Sequence, residues 1–229
     1  MISKEIREQS RSDLRGKWLK LALITLVIFI IVFVVKHFTK EVYLGSLISL
    51  AISSMLGTFS KAFYINFYKT KEINIERGFP NIKVFLRYFG MEFMLFVIVF
   101  IIYLLMFCLL IIGTLGFIAL DFNKLFSINA IIPYLGIIFI VSMIIITIIV
   151  LFYFAVPFLI IEGNGIFKSL GDSIILMRGK KWRLFKLQLS FIGWAILSIL
   201  SFGVGFLWLT PYYCESITMF YFKVVLEEE

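Results

Sequence analysis

Three ionisable residues stand inside long apolar runs: Lys61, Glu92 and Glu215. A charge in such a run is costly, which marks the position as functional or tightly paired. Glu215 follows Pro211 by four residues. The proline removes a backbone hydrogen bond and leaves a carbonyl without its usual partner, so Glu215 sits where backbone polarity is uncovered. It could bind a cation or relay a proton. The favoured reading is structural: a protonated carboxyl bonded to a neighbouring Ser or Tyr. Glu92 and Lys61 fall at similar depth on what should be neighbouring helices, and they are expected to pair or share one polar network. A second group is basic: Arg178, Lys180, Lys181, Arg183 and Lys186 crowd the start of an apolar run. A cation near an anionic leaflet is worth about 1 kcal/mol, so this knot suits lipid headgroups. The favoured reading is the simpler task of setting orientation.

No catalytic constellation accompanies these residues. The one histidine, His37, lies just beyond an apolar run, which argues against a His-based triad or a multi-histidine metal site within the chain. No GxxxxGK[ST] phosphate loop is present. Gly113-Thr114-Leu115-Gly116 opens no βαβ unit and reads as a turn. Cys108 and Cys214 lie in apolar runs without CxxC or Cys/His neighbours, the setting of small buried hydrophobes. The chain is therefore expected to be no enzyme and to hold no metal or cofactor.

The elements that carry these residues follow from composition. The chain has 229 residues, 62% of them hydrophobic and only 16% charged. Soluble domains run about 45–50% apolar and about 25% charged. So much apolar surface makes the bilayer the natural solvent. The net charge of +8 does not point to nucleic acid, because the basic residues sit at the ends of apolar runs. Six spans are expected, at about 19–35, 43–64, 84–112, 131–158, 184–202 and 206–226, and the fold class is all-α. A loop is expected over 113–129, and a tilt or bend near Pro157. Residues 1–17 read as a short charged surface helix, or as partly disordered, with a weak apolar stripe of Ile2, Ile6 and Leu14. Between spans four and five, about 165–178, Ile166, Phe167, Leu170, Ile174 and Met177 recur at helical spacing against Lys168, Asp172 and Arg178, the pattern of an interfacial amphipathic helix. In the second span Gly45, Ser49, Ser53 and Gly57 recur every four positions, a small-residue face that lets a neighbouring backbone come close.

Orientation follows from the basic residues. Of the 22 lysines and arginines, all but Lys36, Lys40 and Lys124 fall on one side of this six-span arrangement. Positive charge inside then places both termini and the long basic connections in the cytoplasm. A short repeat accompanies this: Arg15-Gly16-Lys17-Trp18, Arg77-Gly78-Phe79 and Arg178-Gly179-Lys180-Lys181-Trp182 each introduce an odd-numbered span. The architecture reads as three helical hairpins.

The last third holds Ser169, Ser173 and Leu176-Met177-Arg178-Gly179-Lys180-Lys181-Trp182, then Leu184-Phe185, Leu189-Ser190-Phe191-Ile192-Gly193-Trp194, Leu207-Trp208-Leu209-Thr210-Pro211-Tyr212 and Phe220-Tyr221. This pattern, with Ser10-Arg11 and Leu14 to Trp18 at the start, resembles the bacterial integral-membrane proteins catalogued as domain-of-unknown-function family 975, common in low-GC Gram-positive bacteria. Members often carry a basic residue beside the aromatic cluster late in the fourth span. Here Phe152-Tyr153-Phe154-Ala155-Val156-Pro157 has none. The resemblance implies a multi-pass plasma-membrane protein and no assigned activity. The expected function is that of an accessory, assembly or protection factor, for example in immunity to membrane-active peptides. It would act on anionic lipid, on a membrane-protein partner or as a homo-oligomer, and not on nucleic acid. The rival expectation is a small transporter or channel using Glu215, Glu92 and Lys61.

Overall fold

The computed structural model describes residues 2–38, 45–120 and 128–226. The described helices are α1 (Ile2–Asp13), α2 (Trp18–Phe38), α3 (Gly45–Thr70), α4 (Ile82–Leu120), α5 (Ile128–Tyr153), α6 (Val156–Ile161), α7 (Ile166–Leu176), α8 (Lys181–Leu200) and α9 (Phe206–Phe220). A 3-10 turn at Glu76–Gly78 precedes α4, and a π turn at Tyr221–Val225 follows α9. There is no strand among the described residues. Among the described residues five stretches are long and apolar enough to cross a membrane: Trp18–Phe38, Ile48–Thr70, Ile82–Ile112, Gly136–Ile161 and Lys181–Leu200. The 15-residue α9 is not among them.

The chain forms two units, Met1–Met91 with Phe152–Glu229, and Glu92–Leu151. The first is built around α9. From Glu215 through Phe222 every residue is buried, and so are Pro211, Tyr212, Val224 and Val225. α1, α2, α3 and α8 all pack on this helix. Its aromatic residues interleave with theirs. Tyr68 stacks on Phe222 at 4.7 Å, Phe158 stacks on Tyr221 at 4.4 Å, and Phe191 meets Tyr212 edge-on at 5.0 Å. Such ring pairs add to area burial by about 0.5–1.5 kcal/mol each. The N-terminal segment is a docked helix rather than a loose surface one. Ile6, Ser10 and Leu14, spaced four apart, form its buried face, and the Tyr212 hydroxyl donates to the Arg7 carbonyl at 3.2 Å.

Only the first turns of α2 are covered, at Leu21, Ala22 and Thr25. The second expected span ends at 64, but α3 continues to Thr70, because Phe63 and Phe67 bury the turns that Lys61, Asn66 and Lys69 make look polar. On this helix Gly45 is buried, Ser49 and Gly57 are half-buried and Ser53 is exposed. The fully covered small polar residues are Ser54 and Thr58, one position on.

The apolar run that ends at Ile161 breaks where Pro157 predicts. α5 stops at Tyr153 and α6 begins at Val156, with Pro157 in its first turn, where a missing N–H costs nothing. The break frees backbone groups that α7 satisfies. The Ser173 hydroxyl donates to the Phe152 carbonyl at 2.6 Å and accepts from the Ala155 N–H at 3.3 Å. α7 lies where the amphipathic pattern places it, with Ile166 and Leu170 against the cluster of Tyr88, Met91, Val156 and Ile160. Its inward face is completed by Ser169, Ser173 and Met177, while Phe167 and Ile174 of the apolar pattern point outward. Two of the three Arg-Gly repeats share a conformation. Gly16 and Gly179 join one helix to the next with φ +78° and +75°, a region open to glycine and costly for other residues. Arg77-Gly78 instead closes the 3-10 turn.

The second unit comprises α4 beyond Met91 and α5 up to Leu151. Its large apolar side chains, among them Phe96, Phe100, Phe107, Ile137, Phe139 and Ile144, are exposed. Ser142 and Thr147 bond to carbonyls of their own helix, at 2.8 and 2.7 Å. α4 runs through 113–120, where a loop is expected, because two glycines in an otherwise apolar helix cost only about 1 kcal/mol each. Residues 121–127 of that expected loop lie outside the described residues.

Ser173→Ala should lower stability by about 1–3 kcal/mol, since it takes the hydroxyl partner from the buried Ala155 N–H and the half-buried Phe152 carbonyl at the α5–α6 break. Thermal unfolding in detergent checks this, and an unchanged Tm would contradict it.

Candidate functional site

The charged cluster of the first unit forms where three chain segments end. α3 terminates at Thr70, and Lys71 adopts a left-handed backbone, φ 56°, with its N–H on the Phe67 carbonyl at 2.7 Å. α1 terminates at Asp13 and the chain turns at Gly16. Glu215 lies on the fully buried stretch of α9. The Lys71 ammonium donates to Asp13 Oδ2 at 2.6 Å and to Glu215 Oε1 at 3.5 Å. Lys17 completes the group. Its ammonium donates to the Lys71 carbonyl at 2.6 Å and to the Asp13 carbonyl at 3.4 Å, and it stands 5.1 Å from the centre of the Phe67 ring.

The cluster is wet at one end and dry at the other. The Lys71 side chain is 39% exposed, Asp13 17% and Glu215 0%. Two unit charges 3.5 Å apart attract by about 5 kcal/mol at an effective dielectric of about 20. Taking a carboxylate out of water costs several kcal/mol, so the pair roughly breaks even. What matters is the cost of losing one partner. Glu215 Oε2 is buried and has no hydrogen-bond partner among the described residues, and the neighbouring Ser216 hydroxyl has none either. The carboxyl is held by one oxygen only. The left-handed backbone at Lys71 costs roughly 1–2 kcal/mol for a residue with a Cβ. A glycine would avoid that cost and lose the ammonium.

The other expected site residues are placed elsewhere. The Lys61 ammonium stands over the Phe158 ring, 4.6 Å from its centre. Glu92 opens the second unit. The basic knot is divided. Lys180 donates to the Val225 carbonyl at 2.9 Å, and Lys181 lies over the Phe152 ring at 3.0 Å, so both reach inward. Lys181 thus supplies a cation to the aromatic cluster that lacks one in its own run. Arg178, Arg183 and Lys186 are exposed. Further contacts join helix ends at this side of the first unit. Glu162 accepts from the Tyr221 hydroxyl at 2.8 Å, and Lys69 approaches it at 4.0 Å. Arg87 donates to the Gly163 carbonyl at 2.6 Å, and Lys223 donates to Gln9 at 2.7 Å.

Lys71 was not legible as the partner of Glu215, nor Asp13 and Lys17 as the residues grouped around Lys71. Each sits in a charged segment that looks solvated, 58 and 144 residues separate Lys71 from its two carboxylates, and no local pattern encodes such a contact.

Lys71→Met should destabilise the fold by about 3 kcal/mol, the low end for breaking a buried pair because Lys71 reaches water. Adding Glu215→Gln should recover most of that loss. Denaturant unfolding of the two single variants and the double variant checks this, and purely additive losses would contradict the pairing.

The family described as a protein of unknown function (DUF975) matches residues 1–228. No curated protein and no solved structure matches the chain.

Proposed function

The chain belongs to the DUF975 family, and we propose that it is a non-catalytic multi-pass protein of the bacterial plasma membrane, acting as an accessory, assembly or protection factor. It would work through contacts with anionic lipid, with a partner membrane protein or with another copy of itself. Both termini and the basic connections would lie in the cytoplasm. The gathering of Lys17, Lys71, Lys180 and Lys223 at helix ends supports that orientation.

One observation carries the reading: Glu215, the most deeply buried charge of the candidate site, is committed to a tertiary clamp with Lys71 and Asp13. A carboxylate that ties three segments together is poorly placed to load and unload a passing ion. The transporter reading draws on a different observation, the unpartnered Oε2 of Glu215. Proteoliposomes separate the two. Purified protein should leave proton, sodium and potassium leak at the level of empty vesicles. A flux abolished by Glu215→Gln would overturn the accessory reading in favour of transport.

Orientation has its own test. With Cys108 and Cys214 replaced by serine, a cysteine in place of Arg178 should resist an impermeant thiol reagent on intact cells. One in place of Asn123 should react. The opposite result would invert the topology.

A further inference from the structure

A cleft of ≈420 Å³ opens between the start of α2, the second half of α8 and the first half of α9. Its walls are apolar and aromatic, with Trp18, Trp194, Leu197, Trp208 and Tyr212 among them, and Arg11 of α1 is the one charged residue among the described residues that line it. The floor is held in place. Tyr212 is 5% exposed, its ring meets Trp18 and Phe191 edge-on at 6.2 and 5.0 Å, and its hydroxyl is bonded to the Arg7 carbonyl. The Arg11 guanidinium stands 5.6 Å from the centre of the Tyr212 ring and is paired with no carboxylate among the described residues.

We infer that this cleft binds one anionic phospholipid, its phosphate on Arg11 and an acyl chain along the tryptophan-lined wall. Charge complementarity selects the occupant. A guanidinium presents a planar fork of donors that matches phosphate and also stacks on aromatic faces. The volume lies within the ~300–1,000 Å³ of ligand pockets, far more than a free phosphate ion fills, and nearly all of the surface offered is apolar. A single exposed cation would hold an inorganic ion weakly, whereas a lipid adds its tail. The rim is continuous with outward apolar surface. Trp194, Leu197 and Trp208 are 47%, 57% and 43% exposed, and the apolar face of α8 continues outward at Ile199 and Leu200. A ligand entering sideways from the bilayer meets no polar barrier there. A second cleft of ≈440 Å³, between α2 and α3, has lining residues such as Val27, Met55 and Phe59 and no charged side chain among the described residues. It can take an acyl chain but cannot tell one headgroup from another, and so serves as an internal control.

This site deepens the lipid-contact reading proposed above and rests on it. The test is native mass spectrometry of the full-length protein titrated with phosphatidylglycerol or with phosphatidylcholine of the same chains. The wild type should retain the anionic lipid about fivefold better, the effect of one cation near an anionic headgroup. Arg11→Gln should bring the two lipids to parity, Arg11→Lys should keep a preference, and Lys83→Gln at the exposed start of α4 should leave it intact. Leu197→Phe narrows the cleft without touching Arg11 and should lower retention of phosphatidylglycerol. Parity in the wild type, a preference that survives Arg11→Gln, or undiminished retention in Leu197→Phe would each overturn the proposal. So would competition by glycerol phosphate at the same concentration as the lipid, since it would identify the ligand as a free phosphate compound. The two readings fail separately: a flux in proteoliposomes removes the accessory role and leaves the cleft, whereas lipid parity removes the cleft and leaves the accessory role.

Discussion

A carboxylate with no exposed surface must find a cation, take up a proton or cost the fold several kcal/mol. Glu215 is in that position, and the first unit is arranged to answer it. The answering cation sits at the end of α3, in a backbone conformation that an L-residue adopts at a cost. That cation is shared with Asp13 at the end of α1, which fixes where the N-terminal helix stops. Lys17 then caps the Lys71 carbonyl and starts the turn into α2. One buried charge therefore sets the relation between α1, α3 and α9, and the aromatic stacking of Tyr68 on Phe222 follows from the same approach of α3 to the chain's end.

The same logic gives the basic residues a second role. As a count they set orientation. As individuals, several are spent in tertiary contacts: Arg87 on the carbonyls before α7, Lys180 on the carbonyl of Val225, Lys181 on the Phe152 ring. These bonds cross-brace helix ends, where the last carbonyls lack intrahelical partners. Arg178, Arg183 and Lys186 remain exposed. A cationic collar and a set of braces are thus made from the same residues, divided by which way each side chain reaches.

Much of the helix pattern was legible, because apolar runs with polar ends admit few alternatives. α2 and α8 lie where the runs predict, and Pro157 marks the break between α5 and α6. The errors share a cause. A span was expected to end wherever charged or glycine residues appeared, yet α3 continues past Lys61 and Lys69, and α4 continues through Gly113 and Gly116. Helix propensity tolerates those residues, while a hydropathy boundary does not. The register of the small-residue face was not legible either. The four-residue spacing of Gly45 to Gly57 is real, but burial at Ser54 and Thr58 is decided by which helix lies opposite. At the candidate site, Glu215 stood out by its apolar neighbours, whereas Lys71 and Asp13 could not, since their partner is distant in sequence. Ser173 was visible only as part of a family pattern. Its work, bridging a helix break, depends on two backbone groups that a sequence does not display.

The C-terminal segment shows why hydropathy and burial give different answers. By composition it resembles the other apolar runs, yet α9 and its π turn are covered by α1, α2, α3 and α8, while α2, α4 and α5 leave large apolar side chains outside. A helix facing hydrocarbon could hardly carry Glu215 or interrupt its hydrogen-bond ladder with a π turn, because no lipid group could satisfy what is freed. A helix wrapped by other helices can do both, since its neighbours supply ammonium groups and carbonyls. The polar residues of α9 are therefore a consequence of its central place. α1 belongs to the same arrangement: its buried face packs on α9, and its charged side chains bring Asp13 to the clamp and Arg11 to the mouth of the aromatic cleft.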